Sequence, residues 1–274
     1  MNLASGTTST TMNAEALTWS GVAVMVALAI PSVLALMMDE RELLGVNVWV
    51  KPLKFELSFA LHMATVALVL RLLPGALLDR STFRATVLVG VLSSVLETLY
   101  IALQSARGRE SHFNVQTPLE SALYYAGMGT GAVAIVVSSF IVGWQVWRHG
   151  VSHTPSGLRT GAALGLMLGS LLTLIVASVL SSGAVAGAGH WVGGVHSDAT
   201  GLALVGWSTT GGDLRVPHFF ATHLMQALPL AGWLADRLDP MRATGWVQFS
   251  AIVMLSIVIG TFWQAVTGHA LLPL

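Results

Sequence analysis

His62, Glu97, His218 and His223 are the side chains whose types carry chemistry in an otherwise apolar chain. The last two follow a glycine-rich stretch in the run GWSTTGGDLRVPHFFATHLMQ. Neutral imidazoles with a carboxylate suit zinc, iron or manganese. With zinc at His62, His223 and Glu97, the metal lowers the pKa of a bound water and Glu97 takes its proton. A single b-type haem is the other fit: His62 and His223 as axial ligands, Lys51, Lys54, Arg107 and Arg109 at the propionates. Gln104 lines the same end, while Tyr100, Arg107 and His218 stand ready as acid–base or charge-stabilising groups. The 274 residues hold no cysteine, which excludes disulfides, thiolate metal sites, iron–sulfur clusters and covalently attached haem.

Spacing sorts these residues onto helix faces. Ser93, Glu97, Tyr100, Gln104 and Arg107 recur at steps of four, three, four and three, one face of an α-helix. Ser58 and His62 are four apart and are expected to share a face. His218 and Thr222 share one face of the late helix, His223 and Gln226 another. The two histidines are five apart, about 140° around the axis, so one of them is expected to meet His62, and His223 has the better depth. Thr117-Pro118 followed by Glu120 fits a capping box, which gives Glu120 a structural role beside a functional one. His149, His153, His190, His196 and His269 fall in connections or near the C-terminus and are expected to be solvated.

The Ser58-x-x-x-His62 pair followed by two late histidines is similar to the pattern of intramembrane hydrolases of the ceramidase and progestin-receptor superfamily. The resemblance implies a seven-span fold and a three-histidine zinc site. That family's late histidines are expected four residues apart, and here they are five apart.

The elements that must position these groups are membrane helices. The chain is 54% hydrophobic and 9% charged, against about 25% charged in soluble domains. Seven runs, 17–38, 54–73, 84–106, 119–147, 160–182, 217–235 and 245–268, approach or exceed the length of about 20 residues that crosses a bilayer. Their length and uniform apolarity predict an all-α, polytopic integral membrane protein, a bundle of seven transmembrane helices. It is one domain over 1–274, with a flexible tail over 1–15 that lacks the charged start of a signal peptide. A long Gly-rich loop over 183–216 covers the site.

Seven spans put the termini on opposite sides, here face B (N-terminus) and face A. Face B has seven Arg or Lys in its connections and face A six, which favours a cytoplasmic N-terminus and a periplasmic C-terminus in a bacterial inner membrane. The ionisable residues gather toward face A. That asymmetry argues for a cavity open to one side, and against a proton wire or pore crossing the whole bilayer.

The expected function is an integral membrane enzyme acting on a small or membrane-soluble substrate by metal-assisted hydrolysis or redox chemistry. The alternatives are a transporter or binder of a small anionic substrate at the basic residues of face A, or a structural subunit. The segment Gly127-Met-Gly-Thr-Gly131 marks a weak helix break or a close helix contact. The partners expected are the lipid bilayer, the substrate, and a second copy or another membrane subunit. Thirteen basic residues balance thirteen acidic ones, and with no like-charge run nucleic acid is not among the partners.

Overall fold

Backbone amides and carbonyls have no water to bond inside a bilayer, so long apolar runs close their hydrogen bonds within helices. The computed structural model describes residues 12–185 and 189–274. Its long helices are α1 (Ala14–Met38), α2 (Val50–Leu70), α3 (Ser81–Ala106), α4 (Pro118–His149), α5 (Ser156–Ser182), α6 (Arg215–Leu238) and α7 (Ala243–Val266). A one-turn helix (Gly75–Leu78) between α2 and α3 and two short antiparallel pairs complete it: β1 (Glu42–Leu43) with β2 (Val46–Asn47), and β3 (Trp191–Val192) with β4 (Gly212–Asp213). Six of the helices, all but α6, are long and apolar enough to cross a membrane, the architecture of an integral membrane protein. The helix α6 is as long as its neighbours and packs between α5 and α7, but His218, His223, Gln226 and two prolines lower its hydropathy.

Of the tail expected over 1–15, residues 1–11 lie outside the described residues. Asn13 accepts a hydrogen bond from the Ala16 amide at 2.8 Å and caps α1, so the helix takes in the end of that segment.

Contacts between helix ends define the two faces. At face B, Arg71 after α2 pairs with Glu15 at the start of α1 (2.7 Å), and the Val151 amide after α4 bonds the Leu72 carbonyl (2.9 Å). At face A, Arg41 after α1 donates to the carbonyl of Ala106 at the end of α3 (3.2 Å). The outside of the bundle is apolar in mid-helix: Ile30, Leu96, Leu230 and Ile252 are each at least 60% exposed. Glu56, His62, Glu97 and Gln104 are buried. A soluble protein distributes such residues the other way round.

The tightest seam runs between α5 and α6. Gly157, Gly161, Gly165 and Gly169 fall at four-residue steps and form one stripe. A Cβ on Gly161 would sit 2.2 Å from the Leu228 carbonyl oxygen, and one on Gly165 2.9 Å from that of Leu224. Such small-residue stripes let membrane helices approach backbone to backbone. Asp236, near the end of α6, closes the seam at face B. Its carboxylate accepts from the amides of Gly157 (2.8 Å) and Leu158 (2.6 Å) at the start of α5, two donors that a helix N-terminus leaves free.

Candidate functional site

At face A the loop between α5 and α6 folds over the helix ends as a roof. The β3–β4 pair anchors it, and the Leu214 amide bonds the His190 carbonyl (3.0 Å). Its far side is strapped to the β1–β2 turn, where the Asp198 amide and the Ser197 hydroxyl both donate to the Leu44 carbonyl (2.9 and 3.2 Å). Arg215 holds the roof together. Its guanidinium pairs with Asp213 (2.7 Å) and Asp198 (2.8 Å), donates to the Gly206 carbonyl (2.7 Å), and lies 5.8 Å from the Trp191 ring centre. Asp213 also accepts from the amide of Arg215 (2.9 Å), the first residue of α6.

Beneath this roof the chain gathers a cluster. His190 is 8% exposed and stacks on Trp191 with centroids 3.8 Å apart. Phe113 lies between His190 (6.3 Å) and Tyr124 (5.5 Å), and His112 contacts Phe55 (5.4 Å) and Tyr124 (6.0 Å). His112 is close enough to Lys51, His218 and His190 to feel a charge on any of them. Burial, and then those three neighbours, hold the His112 imidazole well below its usual range, so it is neutral. Burial also lowers His190. Burial alone would raise the Asp198 carboxyl, but His190 and Arg215 beside it hold it below the usual carboxylate range.

The local backbone is shaped for this cluster. Phe113 sits at φ 59°, a left-handed conformation that an aromatic residue rarely adopts and that concentrates at functional sites. The first turns of α4 widen into a π-helical segment, Leu123–Met128, which turns Tyr124 inward; such segments recur at functional sites. The helix disturbance expected at Gly127–Gly131 thus lies slightly earlier. His218 Nδ1 and Trp191 Nε1 are buried without a hydrogen-bond partner among the described residues, and buried polar atoms of that kind take a water or a ligand.

The polar stripe of α3 faces inward as expected, yet its upper half is spoken for. Gln104 donates to the Tyr100 hydroxyl (3.0 Å) and accepts from Arg107 (2.8 Å). Arg107 and Arg109 both reach Glu120, at 3.5 and 2.5 Å. Glu120 receives the Thr117 hydroxyl (3.0 Å) while Thr117 accepts from the Glu120 amide (3.2 Å), the capping pair foreseen from the sequence. These residues brace the α3–α4 loop against α4. Lys54 is likewise engaged, donating to the Val205 carbonyl (3.2 Å).

The deeper residues divide. His62 and His223 lie close enough to feel each other's charge, as do His218 and His223. His62 Nε2 is 3.0 Å from the Ser139 hydroxyl of α4, and His223 packs on Phe219 at 4.2 Å. Glu97, 8% exposed, turns toward α4, where a Cβ on Gly131 would lie 2.6 Å from its Oε1. That oxygen has no partner among the described residues. No three His, Asp or Glu among the described residues are grouped as metal ligands, so His62, His223 and Glu97 do not form the single centre drawn from spacing. Ser58 is exposed while His62 is buried, so the Ser-x-x-x-His pair does not act as one unit.

His190 is the main correction among the loop histidines: expected in solvent, it is buried in the cluster, whereas His149, His153, His196 and His269 are exposed. Asp198, Ser139 and His190 carry no spacing signal, because tertiary contacts alone bring them in. No protein-family model matches the chain, and no curated protein or solved structure is significantly similar to it.

Proposed function

We propose that the protein is a seven-span membrane protein that binds a small anionic solute in the roofed cluster of face A, as a transporter or receptor-like binder. Lys51 carries this reading. Its ammonium is near enough to Glu110, Arg215, Asp198 and His112 to feel a charge on each, yet no carboxylate is within ion-pair distance of it among the described residues. The other cations of this face (Arg41, Arg107, Arg109 and Arg215) are paired, and Lys54 has its carbonyl. A cation outside any ion pair, beside neutral imidazoles and under the roof, is a binding group in want of an anion. Aromatic walls with a few convergent polar atoms are the usual lining of a small-molecule site. The helix α6 serves as the seventh span in this reading, supported by its exposed Phe219, Leu230, Trp233 and Leu234. Face B is placed in the cytoplasm. There Arg71, Arg148 and Arg237 lie over Trp19, Trp144 and Trp233, the mark of interfacial anchoring.

The test is thermal unfolding and calorimetric titration of the protein in nanodiscs with acetate, benzoate, phosphate and sulfate. One of these anions stabilises the wild type, and Lys51→Met abolishes the effect. Equal stabilisation of both proteins, or of neither, refutes the reading.

That His62 and His223 lie near enough to feel each other's charge supports a second reading, an enzyme with a transition metal or haem at these two residues. Elemental analysis and an absorption spectrum test it. His62→Ala and His223→Ala lose the bound group while His153→Ala keeps it; equal content in all three variants removes the reading.

A further inference from the structure

Polar groups do not stop in the half of the bundle next to face A. From the roofed cluster His218 leads to His223, and His223 to His62, each close enough to feel the next one's charge. His62 contacts the Ser139 hydroxyl at 3.0 Å. Both residues line a cavity of about 20 Å³ whose wall also carries Ser94, Ser138 and Thr18; their hydroxyls donate to the carbonyls of Gly90, Thr86 and Ala14 and offer the cavity their acceptor lone pairs. One water needs about 10–15 Å³ and two to four polar partners, so the space and its lining suit a water. Thr18 is four residues inside α1, about 6 Å from its face B end, where the exposed Glu15–Arg71 pair stands. The polar series thus extends from face A to within one helical turn of face B.

We infer that this series is a proton path through the bundle. Each imidazole accepts a proton on one ring nitrogen and releases one from the other. The Ser139 hydroxyl, which donates to the Ile135 carbonyl (3.0 Å), takes a proton from His62 and swings its own from that carbonyl toward the cavity, so no bond but O–H and N–H is made or broken. The driving force is the pH difference or potential across the membrane. A hydrated metal ion does not fit in 20 Å³, which restricts the path to protons. Glu97, three residues beyond Ser94 on the same face of α3, is the acidic group next to the route. Val66, Val87 and Ile135 complete the wall with apolar side chains. The proton path goes beyond the anion-binding reading and is independent of it.

The test uses the full chain in phosphatidylcholine–phosphatidylglycerol vesicles loaded with a pH-sensitive dye, with a potassium diffusion potential set by valinomycin. Wild type acidifies the lumen severalfold faster than protein-free vesicles. His62→Phe returns the rate to background, and Ser139→Ala and Thr18→Val each reduce it severalfold, while His153→Ala, exposed at face B, does not change it. Unfolding curves verify that each variant is folded; should His62→Phe not fold, Ser139→Ala and Thr18→Val decide. Wild-type flux equal to protein-free vesicles, or undiminished flux in the folded variants, overturns the path. Anion binding is measured without any gradient, so the two ideas fail separately.

Discussion

Replacing Gly161 with alanine tests whether the α5–α6 seam holds the histidines in place. The added methyl would lie 2.2 Å from the Leu228 carbonyl oxygen and 2.9 Å from its carbon. A carbon–oxygen contact relaxes only near about 3.3 Å, so the two backbones must part by about 1 Å. No rotamer change relieves this, because the obstacle is backbone. Ala221, Leu224 and Leu228 on the facing side are fully buried, and their packing loosens as α6 moves. Overpacking of this kind costs about 1–3 kcal/mol, while alanine in place of glycine in a helix returns about 1 kcal/mol. The balance is a loss of up to about 2 kcal/mol, or up to about 8 °C in the unfolding midpoint by the scaling for soluble domains of similar size. The assay is thermal unfolding in nanodiscs beside Gly260→Ala, a helical glycine with nothing within 4 Å of the added carbon. Gly260→Ala should leave stability unchanged or raised. If Gly161→Ala matches it, the close approach does not govern the packing.

Two further outcomes follow from face A and face B. Asp236→Ala removes the acceptor of two α5 amides. It should cost about 0.5–2 kcal/mol, the range for a lost N-cap, and increase amide exchange at Gly157 and Leu158, which hydrogen exchange would read directly. At face A, the folded chain holds His112 and His190 below the usual 6.5, so the unfolded chain binds the proton first. The stabilisation is therefore complete above about pH 6.5 and is lost as the pH falls below it, by at most about 1.4 kcal/mol per pH unit for each group. Hydrogen exchange of 107–117 and 189–214 should rise on acidification, and His112→Leu should flatten that rise; a pH-independent roof would count against the neutral cluster.

Much of the framework was legible from composition. Lipid leaves the backbone one means of satisfying itself, so the apolar runs had to be helices, and the charge and hydroxyl spacing on α3 fixed its inward face. The capping pair of Thr117 and Glu120 was equally plain, because capping depends on residues three apart in one chain segment. The rotation of the other helices was not legible. A helix that is apolar on every side has no periodicity to show which face meets a neighbour. Hence the sequence put His62 with Ser58, and packing put it against Ser139. The glycine stripe of α5, a pattern visible in the sequence, acquired its meaning only when α6 was seen within backbone contact.

The sequence by itself determined an all-helical membrane protein with its ionisable groups gathered toward one face, since both follow from what each residue costs in lipid. The tertiary structure decided which of those groups meet. It buried His190 from a loop, engaged Arg107 and Arg109 with Glu120, left Lys51 outside every ion pair among the described residues, and turned Glu97 toward Gly131. Each of these depends on contacts between segments far apart in the chain, where the balance of desolvation and pairing is set by geometry that no local pattern encodes.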